Sequence, residues 1–211
     1  MHGHVPGQVH ENRLPAFSAK LERIVSPLHR VFDRLYHSRY NPLYRSGTLA
    51  VGMLLVLIAT GLYLIFFYSV GKPYESIRAI QDQQYLGRWI RALHRYATDV
   101  MIVATAFHVL QLLIQGKTWG PRILPWISGV ALLLLFFLSA WSGYVMVWDE
   151  HAQLLALSGA KMLQTFGLFE ELLATAFDGS VPVNSSFFFM NLFLHVALPV
   201  GLLFGLWIHT A

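Results

Sequence analysis

The chain has 211 residues, of which 55% are hydrophobic and 12% are charged, and its formal net charge is +4. The charged share is about half that of a typical soluble domain, so the composition indicates an integral membrane protein. The absence of cysteine excludes disulfides, iron–sulfur clusters, thiolate zinc sites and thioether-linked cofactors. Most basic residues lie at the ends of apolar segments, which membrane topology explains, so no nucleic-acid partner is expected.

The N-terminal region divides into two predicted parts. Residues 1–17 form a polar tail without the apolar core of a signal peptide. Residues 18–40 predict an amphipathic helix resting on the membrane surface, because apolar side chains share one side and basic residues surround them. Pro27 is expected to kink or split this helix, and Asn41-Pro42 ends it.

Residues 41–211 predict a four-helix transmembrane domain, and the fold class is all-α. Four apolar segments are each long enough to cross about 30 Å of hydrocarbon, namely 46–68, 89–115, 124–147 and 186–210. A polar connection, 69–87, separates the first two segments. The longer loop, 148–184, is expected to hold two short helices on the membrane surface.

The distribution of charge predicts the orientation of the chain. The N-terminal region through Arg45 and the turn 116–122 together carry nine basic and three acidic residues. The positive-inside rule then places both termini in the cytoplasm, and a bacterial inner membrane is the expected location. The spans alternate in direction, so the second and the fourth are parallel.

Two histidine pairs share one spacing: His94 and His108 in the second span, and His195 and His209 in the fourth. Fourteen helical residues rise about 21 Å and return to the same seam of a left-handed bundle. His94 then faces His195 at an outer depth, and His108 faces His209 at an inner depth. Two imidazoles at one depth satisfy both axial positions of a haem iron, so the spacing predicts two stacked, non-covalent b haems. The alternative is a haem-free channel or transporter whose histidines bond to neighbouring side chains.

Two glycine pairs repeat the fourteen-residue interval in the other two spans: Gly47 with Gly61, and Gly129 with Gly143. Their bare backbone is expected to make room for the faces or edges of a macrocycle, although glycine also serves close helix packing alone. Arg91 lies one turn from His94 toward the outer surface. It is predicted to pair with a haem propionate, the alternative being simple snorkelling to the interface.

These residues resemble a known family, the N-terminal dihaem half of cytochrome b from cytochrome bc-type quinol oxidoreductases, including the shorter chloroplast form. The resemblance covers residues 41–209 and is carried by Thr60-Gly61, Arg91-Ala-Leu-His94, His108-Val, Pro121-Arg122, Gly143-Tyr144, Trp148-Asp149 and His195-Val-Ala-Leu-Pro199. It implies that His94 and His195 bind an outer, low-potential haem, and that His108 and His209 bind an inner, high-potential haem. It also implies a propionate-binding role for Arg91, and a homodimer.

Three positions depart from the family pattern. Gln111 and Met190 stand where the family usually has arginine, and Val147 stands where it has proline. The charge of the propionates must therefore be balanced by other residues, for which Arg45, Arg88 and Lys117 are the candidates. The sequence ends two residues beyond His209, before the Pro-Glu-Trp-Tyr segment that helps form the family's outer quinol site.

Two functions follow from this resemblance. The first is the haem-bearing electron-transfer subunit of a split quinol oxidoreductase enzyme, with quinol or quinone as substrate. Its partners would be a C-terminal cytochrome b-like subunit, an iron–sulfur protein or cytochrome c, and membrane lipid. The second is a haem-bearing membrane anchor that links a peripheral dehydrogenase or reductase to the quinone pool.

Overall fold

Six helices make up most of the described chain. The computed structural model describes residues 45–116, 118, 123–165 and 185–210, and before them residues 20, 22–23, 25–27 and 30–34. The helices are α1 (Ser46–Ile65), α2 (Pro73–Asp82), α3 (Gly87–Ile114), α4 (Ile123–Val145), α5 (Glu150–Thr165) and α6 (Ser185–Thr210). No strand occurs among these residues, so the all-α prediction is confirmed.

Helices α1, α3, α4 and α6 are the four helices long and apolar enough to cross a membrane, with mean hydropathy between 1.8 and 2.3. They match the four predicted spans, and their ends differ from the predicted ends by at most three residues. At most 22% of any apolar window is buried within the chain. Most of the apolar surface of these helices therefore points outward, and this surface must face lipid or a partner subunit.

The spans form two pairs. Helix α1 packs against α3 and helix α4 packs against α6, whereas backbone contacts between the two pairs are sparse. Small residues are buried in α3 (Ala97 and Ala104) and in α4 (Ser139 and Ser142). In a membrane, small side chains at an interface let helix backbones approach closely. Backbone packing is therefore closer within each pair than between the pairs.

One apolar cluster joins the two pairs at the middle of the spans. It consists of the buried residues Leu54, Met101, Phe136 and Leu202, one from each span. Each lies seven residues from both members of the histidine or glycine pair on its own helix. The cluster, called the middle layer below, therefore separates two levels. We name these the His94 level, which holds His94 and His195, and the His108 level, which holds His108 and His209.

The connection between α1 and α3, predicted only as a polar segment, contains the helix α2, which begins at Pro73 and buries Ile80. Ten residues give too short a pattern to identify a helix, although proline suits the first position. Helix α3 begins at a glycine for a steric reason, because a Cβ at Gly87 would lie 2.6 Å from the carbonyl oxygen of Ile80.

The loop after α4 begins with an unusual backbone. Trp148 has φ of 55°, a left-handed conformation that bulky residues rarely adopt, and its ring meets that of Phe188 edge-on, with centroids 4.8 Å apart. Asp149 then caps α5, since its Oδ1 accepts a hydrogen bond from the backbone N–H of Ala152 at 2.8 Å. Helix α5 accounts for one of the two helices predicted in this loop, and residues 166–184 lie outside the described chain.

The ends of the two pairs are joined near this loop. The Tyr68 hydroxyl donates a hydrogen bond to the carbonyl oxygen of Met146 at 3.2 Å, which links the chain after α1 to the chain after α4. Burial raises the pKa of Tyr68 to about 12, so the phenol remains a neutral donor at physiological pH.

The predicted N-terminal surface helix is described only in part. Its described residues between 20 and 34 are all helical, and Pro27 is among them. The polar tail 1–17, the predicted helix end at 41–42 and Lys117 lie outside the described residues. Helix α6 continues through Pro199.

Candidate cofactor sites

The His94 level brings together imidazoles from different helix pairs. His94 on α3 and His195 on α6 face each other with ring centroids 6.4 Å apart and planes at 65°. A metal bound by one nitrogen of each ring at about 2 Å would separate the centroids by about 6 Å. The observed spacing therefore fits one metal ion between the two rings.

The proton on each of these imidazoles lies on Nδ1. The Thr60 hydroxyl donates its one hydrogen to the carbonyl oxygen of Val56 at 2.7 Å, so it accepts from His94 Nδ1 at 2.8 Å. His195 Nδ1 lies 3.0 Å from the carbonyl oxygen of Ser139, which can only accept. In both rings Nε2 therefore carries the lone pair that a metal requires.

Asn191 holds this arrangement across the α4–α6 interface. It lies one turn before His195, is buried, and donates from Nδ2 to the carbonyl oxygen of Ser142 at 2.9 Å. The Ser142 hydroxyl is 3.1 Å from His195 Nδ1 and donates to the carbonyl oxygen of Ser139. Ser139 and Ser142, which lie one turn apart on α4, therefore together fix the orientation of the His195 ring.

The His108 level repeats the pattern with one difference. His108 on α3 and His209 on α6 are close enough to interact electrostatically. The Ser128 hydroxyl donates to the carbonyl oxygen of Pro125 and therefore accepts from His209 Nδ1 at 2.8 Å. Ser46 precedes Gly47 in the same way as Ser128 precedes Gly129. The difference is that the Ser46 hydroxyl donates to Oε1 of Gln111, at 3.1 Å.

Each of the four predicted glycines lies against one of the four histidines. A Cβ would lie 3.0 Å from Cε1 of His108 at Gly47, and 3.3 Å from that of His94 at Gly61. At Gly129 it would lie 3.2 Å from Cε1 of His209, and at Gly143 only 2.6 Å from that of His195. The missing side chain makes room for the imidazole edge, and the predicted contact with a macrocycle stays a prediction.

Arg91 is half-buried at the start of α3 and is held by a surface helix. Its Nη1 donates to Oε1 of Gln81, on α2, at 2.6 Å. Arg88 also donates to Gln81, at its backbone carbonyl oxygen. A guanidinium has five N–H donors, so this contact leaves most of the Arg91 donors available to an anion.

Sequence reasoning missed the hydroxyl residues beside the imidazoles and also Asn191. The signal for the hydroxyls is nonetheless present, because each of the four glycines follows a serine or threonine, namely Ser46, Thr60, Ser128 and Ser142. A Ser-Gly or Thr-Gly dipeptide therefore recurs at the fourteen-residue interval. Its first residue can orient an imidazole, and its glycine leaves room for the edge of that imidazole. Asn191 has no comparable signal.

The donor set suits a metal that arrives with its own equatorial ligands. Within the described residues, no three His, Cys, Asp or Glu side chains are grouped to hold a bare metal ion. Each level instead offers two imidazoles, one from α3 and one from α6, and backbone contacts between the two helix pairs are sparse. These residues therefore fit the iron of a flat macrocycle, which needs two axial nitrogens and space around them.

Fold and site together define the class of protein: an all-α integral membrane protein in which two helix pairs each contribute one imidazole to each of two levels. The chain belongs to the cytochrome b family, since the family described as cytochrome b/b6/petB matches residues 31–211. Membership implies haem b as the cofactor, and it confirms the resemblance found in the sequence.

Individual relatives agree with this membership. The chain is 30% identical over 112 residues to cytochrome b6 of Synechococcus elongatus, which is 52% of each protein. It is 25% identical over 169 residues to cytochrome b6 of Heliobacterium modesticaldum, covering 77% of this chain and 79% of that one. The match to the first of these relatives thus spans about half of its length.

A solved structure has the same fold. A chain of a hyperthermophilic respiratory complex III superposes with a TM-score of 0.69 and 18% identity. The superposition covers 90% of this chain and 53% of that one. At this identity the likeness concerns the fold alone.

Proposed function

We propose that this chain is the dihaem subunit of a split bc-type quinol oxidoreductase, which moves electrons across the membrane between quinol or quinone and a redox partner. The observation that carries the proposal is the facing pair of His94 and His195, together with His108 and His209, which lie fourteen residues further along the same two helices and interact electrostatically. Haem supplies reversible one-electron iron chemistry when it is bound. The chain supplies the axial ligands, their orientation and an apolar surrounding.

In this proposal, His94 and His195 are the axial ligands of the outer haem, and His108 and His209 are those of the inner haem. The hydrogen bonds on Nδ1 of His94, His195 and His209 fix the ring orientation and strengthen Nε2 as a ligand. The middle layer keeps the two levels apart with apolar side chains.

Arg91 is proposed to bind a propionate of the outer haem. It lies one turn from His94, and Gln81 holds one of its donors at 2.6 Å, which fixes the guanidinium without neutralising it. A charge-assisted hydrogen bond to a carboxylate is about twice as strong as a neutral one. The half-buried position of Arg91 would reduce the screening of such a bond by water.

The surroundings of the chain are also part of the proposal. The excess of basic residues before α1 and in the turn 116–122 supports a position of both termini on the cytoplasmic side of a bacterial inner membrane. The proposed partners are a C-terminal cytochrome b-like subunit, an iron–sulfur protein or cytochrome c, quinone, and a second copy of this chain.

Haem stoichiometry tests the proposal directly. The purified complex is expected to give two b haems per copy of this chain by pyridine haemochrome, and a reduced-minus-oxidised spectrum with a b-type α band. A complex without this band would exclude the dihaem function. Mass spectrometry of the same sample is expected to detect a co-purifying subunit with a Pro-Glu-Trp-Tyr segment, whereas a bound molybdenum or iron–sulfur enzyme would identify the membrane-anchor function instead.

Thr60→Val is expected to raise the midpoint potential of the outer haem and to weaken its binding by about tenfold. Valine keeps the shape of threonine but cannot accept the hydrogen bond from His94 Nδ1, so the imidazole becomes a poorer donor to ferric iron. The measurement is a potentiometric titration of both haems in the purified complex.

Thr98→Val is the matched control for this experiment. Thr98 also lies beside His94, but its hydroxyl donates to the backbone carbonyl oxygen of His94 at 3.0 Å and not to the ring. Its replacement should leave both potentials unchanged. Equal shifts in the two variants would contradict the role assigned to Thr60.

A further inference from the structure

The four serine or threonine residues that precede the glycines do not all serve their histidines in the same way. Thr60, Ser128 and Ser142 each donate to a carbonyl oxygen in the preceding turn of their own helix. Each therefore presents a lone pair to an imidazole, with oxygen-to-Nδ1 distances of 2.8, 2.8 and 3.1 Å. The intrahelical bond and the imidazole bond thus form one unit.

Ser46 lacks the first half of this unit. It is the first residue of α1, so no preceding turn of that helix offers a carbonyl oxygen. Its hydroxyl crosses to α3 instead and donates to Oε1 of Gln111 at 3.1 Å. Ser46 is 2% exposed, so the bond is shielded from water.

His108 is consequently left without the hydrogen bond that the other three imidazoles make. Among the residues that the structure describes, no acceptor lies within hydrogen-bonding distance of its Nδ1. The distance to α1 is not the cause, because a Cβ at Gly47 would lie 3.0 Å from Nδ1, as close as the 3.1 Å at Gly143. The direction in which the Ser46 hydroxyl points makes the difference.

We infer that Gln111 is a positioning residue that holds the Ser46 hydroxyl away from His108 and thereby tunes the inner axial ligand. The inference rests on the proposed function, in which His108 binds the iron of the inner haem. Gln111 acts through Ser46, because the contact that fixes the hydroxyl is its own amide oxygen.

The physical consequence concerns the reduction potential. An imidazole that donates from Nδ1 to an acceptor becomes a stronger base at Nε2 and favours ferric over ferrous iron. At the His94 level both imidazoles donate in this way, whereas at the His108 level only His209 does. Gln111 therefore keeps the potential of the inner haem higher than it would be if Ser46 turned to His108.

Gln111→Met tests the inference, because methionine matches the length of glutamine and removes the amide oxygen. The freed Ser46 hydroxyl is expected to turn toward His108 and to accept a hydrogen bond from its Nδ1. The ferric-to-ferrous ratio of the inner haem at a fixed ambient potential should rise about tenfold, a fall in midpoint potential of about 59 mV for one electron. The potential of the outer haem should not change.

Ser46→Ala and the double variant separate this mechanism from a direct effect of Gln111. Ser46→Ala alone should leave the inner potential near that of the unmodified protein, because the hydroxyl does not reach the imidazole there. The Ser46→Ala/Gln111→Met double variant should also return to that value, because no hydroxyl remains to turn. All three variants are titrated as the purified complex, with haem counted in each.

The outcomes are distinguishable. An unchanged or raised inner potential in Gln111→Met overturns the inference, and so does a fall that persists in the double variant. Loss of the inner haem from Gln111→Met also overturns it, since freeing a hydroxyl should not remove a ligand. Fewer than two haems in the unmodified complex would instead count against the proposed function and leave the geometry of Ser46 and Gln111 as it stands.

Discussion

His94→Ala is expected to remove the outer haem and to leave the inner haem in place. The outer iron would keep only the His195 imidazole, and the loss of an axial ligand should weaken binding by more than the 10- to 100-fold typical of changes in supporting hydrogen bonds. The pyridine haemochrome count of the purified complex should fall from two per chain to one. His195→Ala should give the same result, and His108→Ala or His209→Ala should remove the inner haem instead.

His151→Ala is the control for these variants. His151 is an exposed residue of α5 and has no place at either level, so its replacement should leave both haems bound. Membrane insertion and solubility of each variant are checked by gel filtration before haem is counted. Retention of both haems in His94→Ala would show that the ligand assignment is wrong.

Gly143→Ala is expected to have the second largest effect. The added Cβ would lie 2.6 Å from Cε1 of His195, which is closer than real Cβ contacts, and 3.1 Å from Nδ1, which is tighter than most of them. The Asn191 bond to the Ser142 carbonyl oxygen holds α6 at this point, so the strain should displace the imidazole. We expect the outer haem to bind at least about tenfold more weakly, measured by haem titration of the depleted complex.

The other glycines provide graded controls. Gly61 adjoins His94, the other proposed ligand of the outer haem, but a Cβ there would lie 3.3 Å from the His94 ring, so a smaller loss is expected for Gly61→Ala. Gly52 and Gly201 have no heavy atom within 4 Å of an added Cβ, and alanine there should preserve both haems, since alanine suits a helix better than glycine by up to about 1 kcal/mol. An effect of Gly201→Ala equal to that of Gly143→Ala would mean that helix flexibility, not space for the imidazole, explains these glycines.

The four spans and the pairing of His94 with His195 could be predicted because both follow from one-dimensional regularities. Apolar length identifies a span, and a fourteen-residue interval returns a side chain to the same seam. Parallel helices then bring residues of equal depth together. Helix α2 is not evident from the sequence, because it is short and its most buried residue, Ile80, is packed by tertiary contacts that a pattern does not reveal.

The hydrogen bonds around the imidazoles could not be predicted from the sequence. Ser46 and Gln111 are 65 residues apart, and Asn191 meets the Ser142 carbonyl oxygen across a different helix pair. Such contacts depend on side-chain rotamers and on the helix terminus that happens to lie nearby. Ser46 is an example, because it is the first residue of α1. If α1 began one turn earlier, the Ser46 hydroxyl could donate to a carbonyl oxygen of its own helix.

The middle layer has a thermodynamic consequence. The two levels are about 21 Å apart, and the energetic effects of changes separated by more than about 10 Å usually add. Leu54, Met101, Phe136 and Leu202 contain no polar group that could form a hydrogen-bonded chain from one level to the other. Each binding site can therefore vary, or be lost, without altering the other, so natural selection can adjust them as separate modules of one chain.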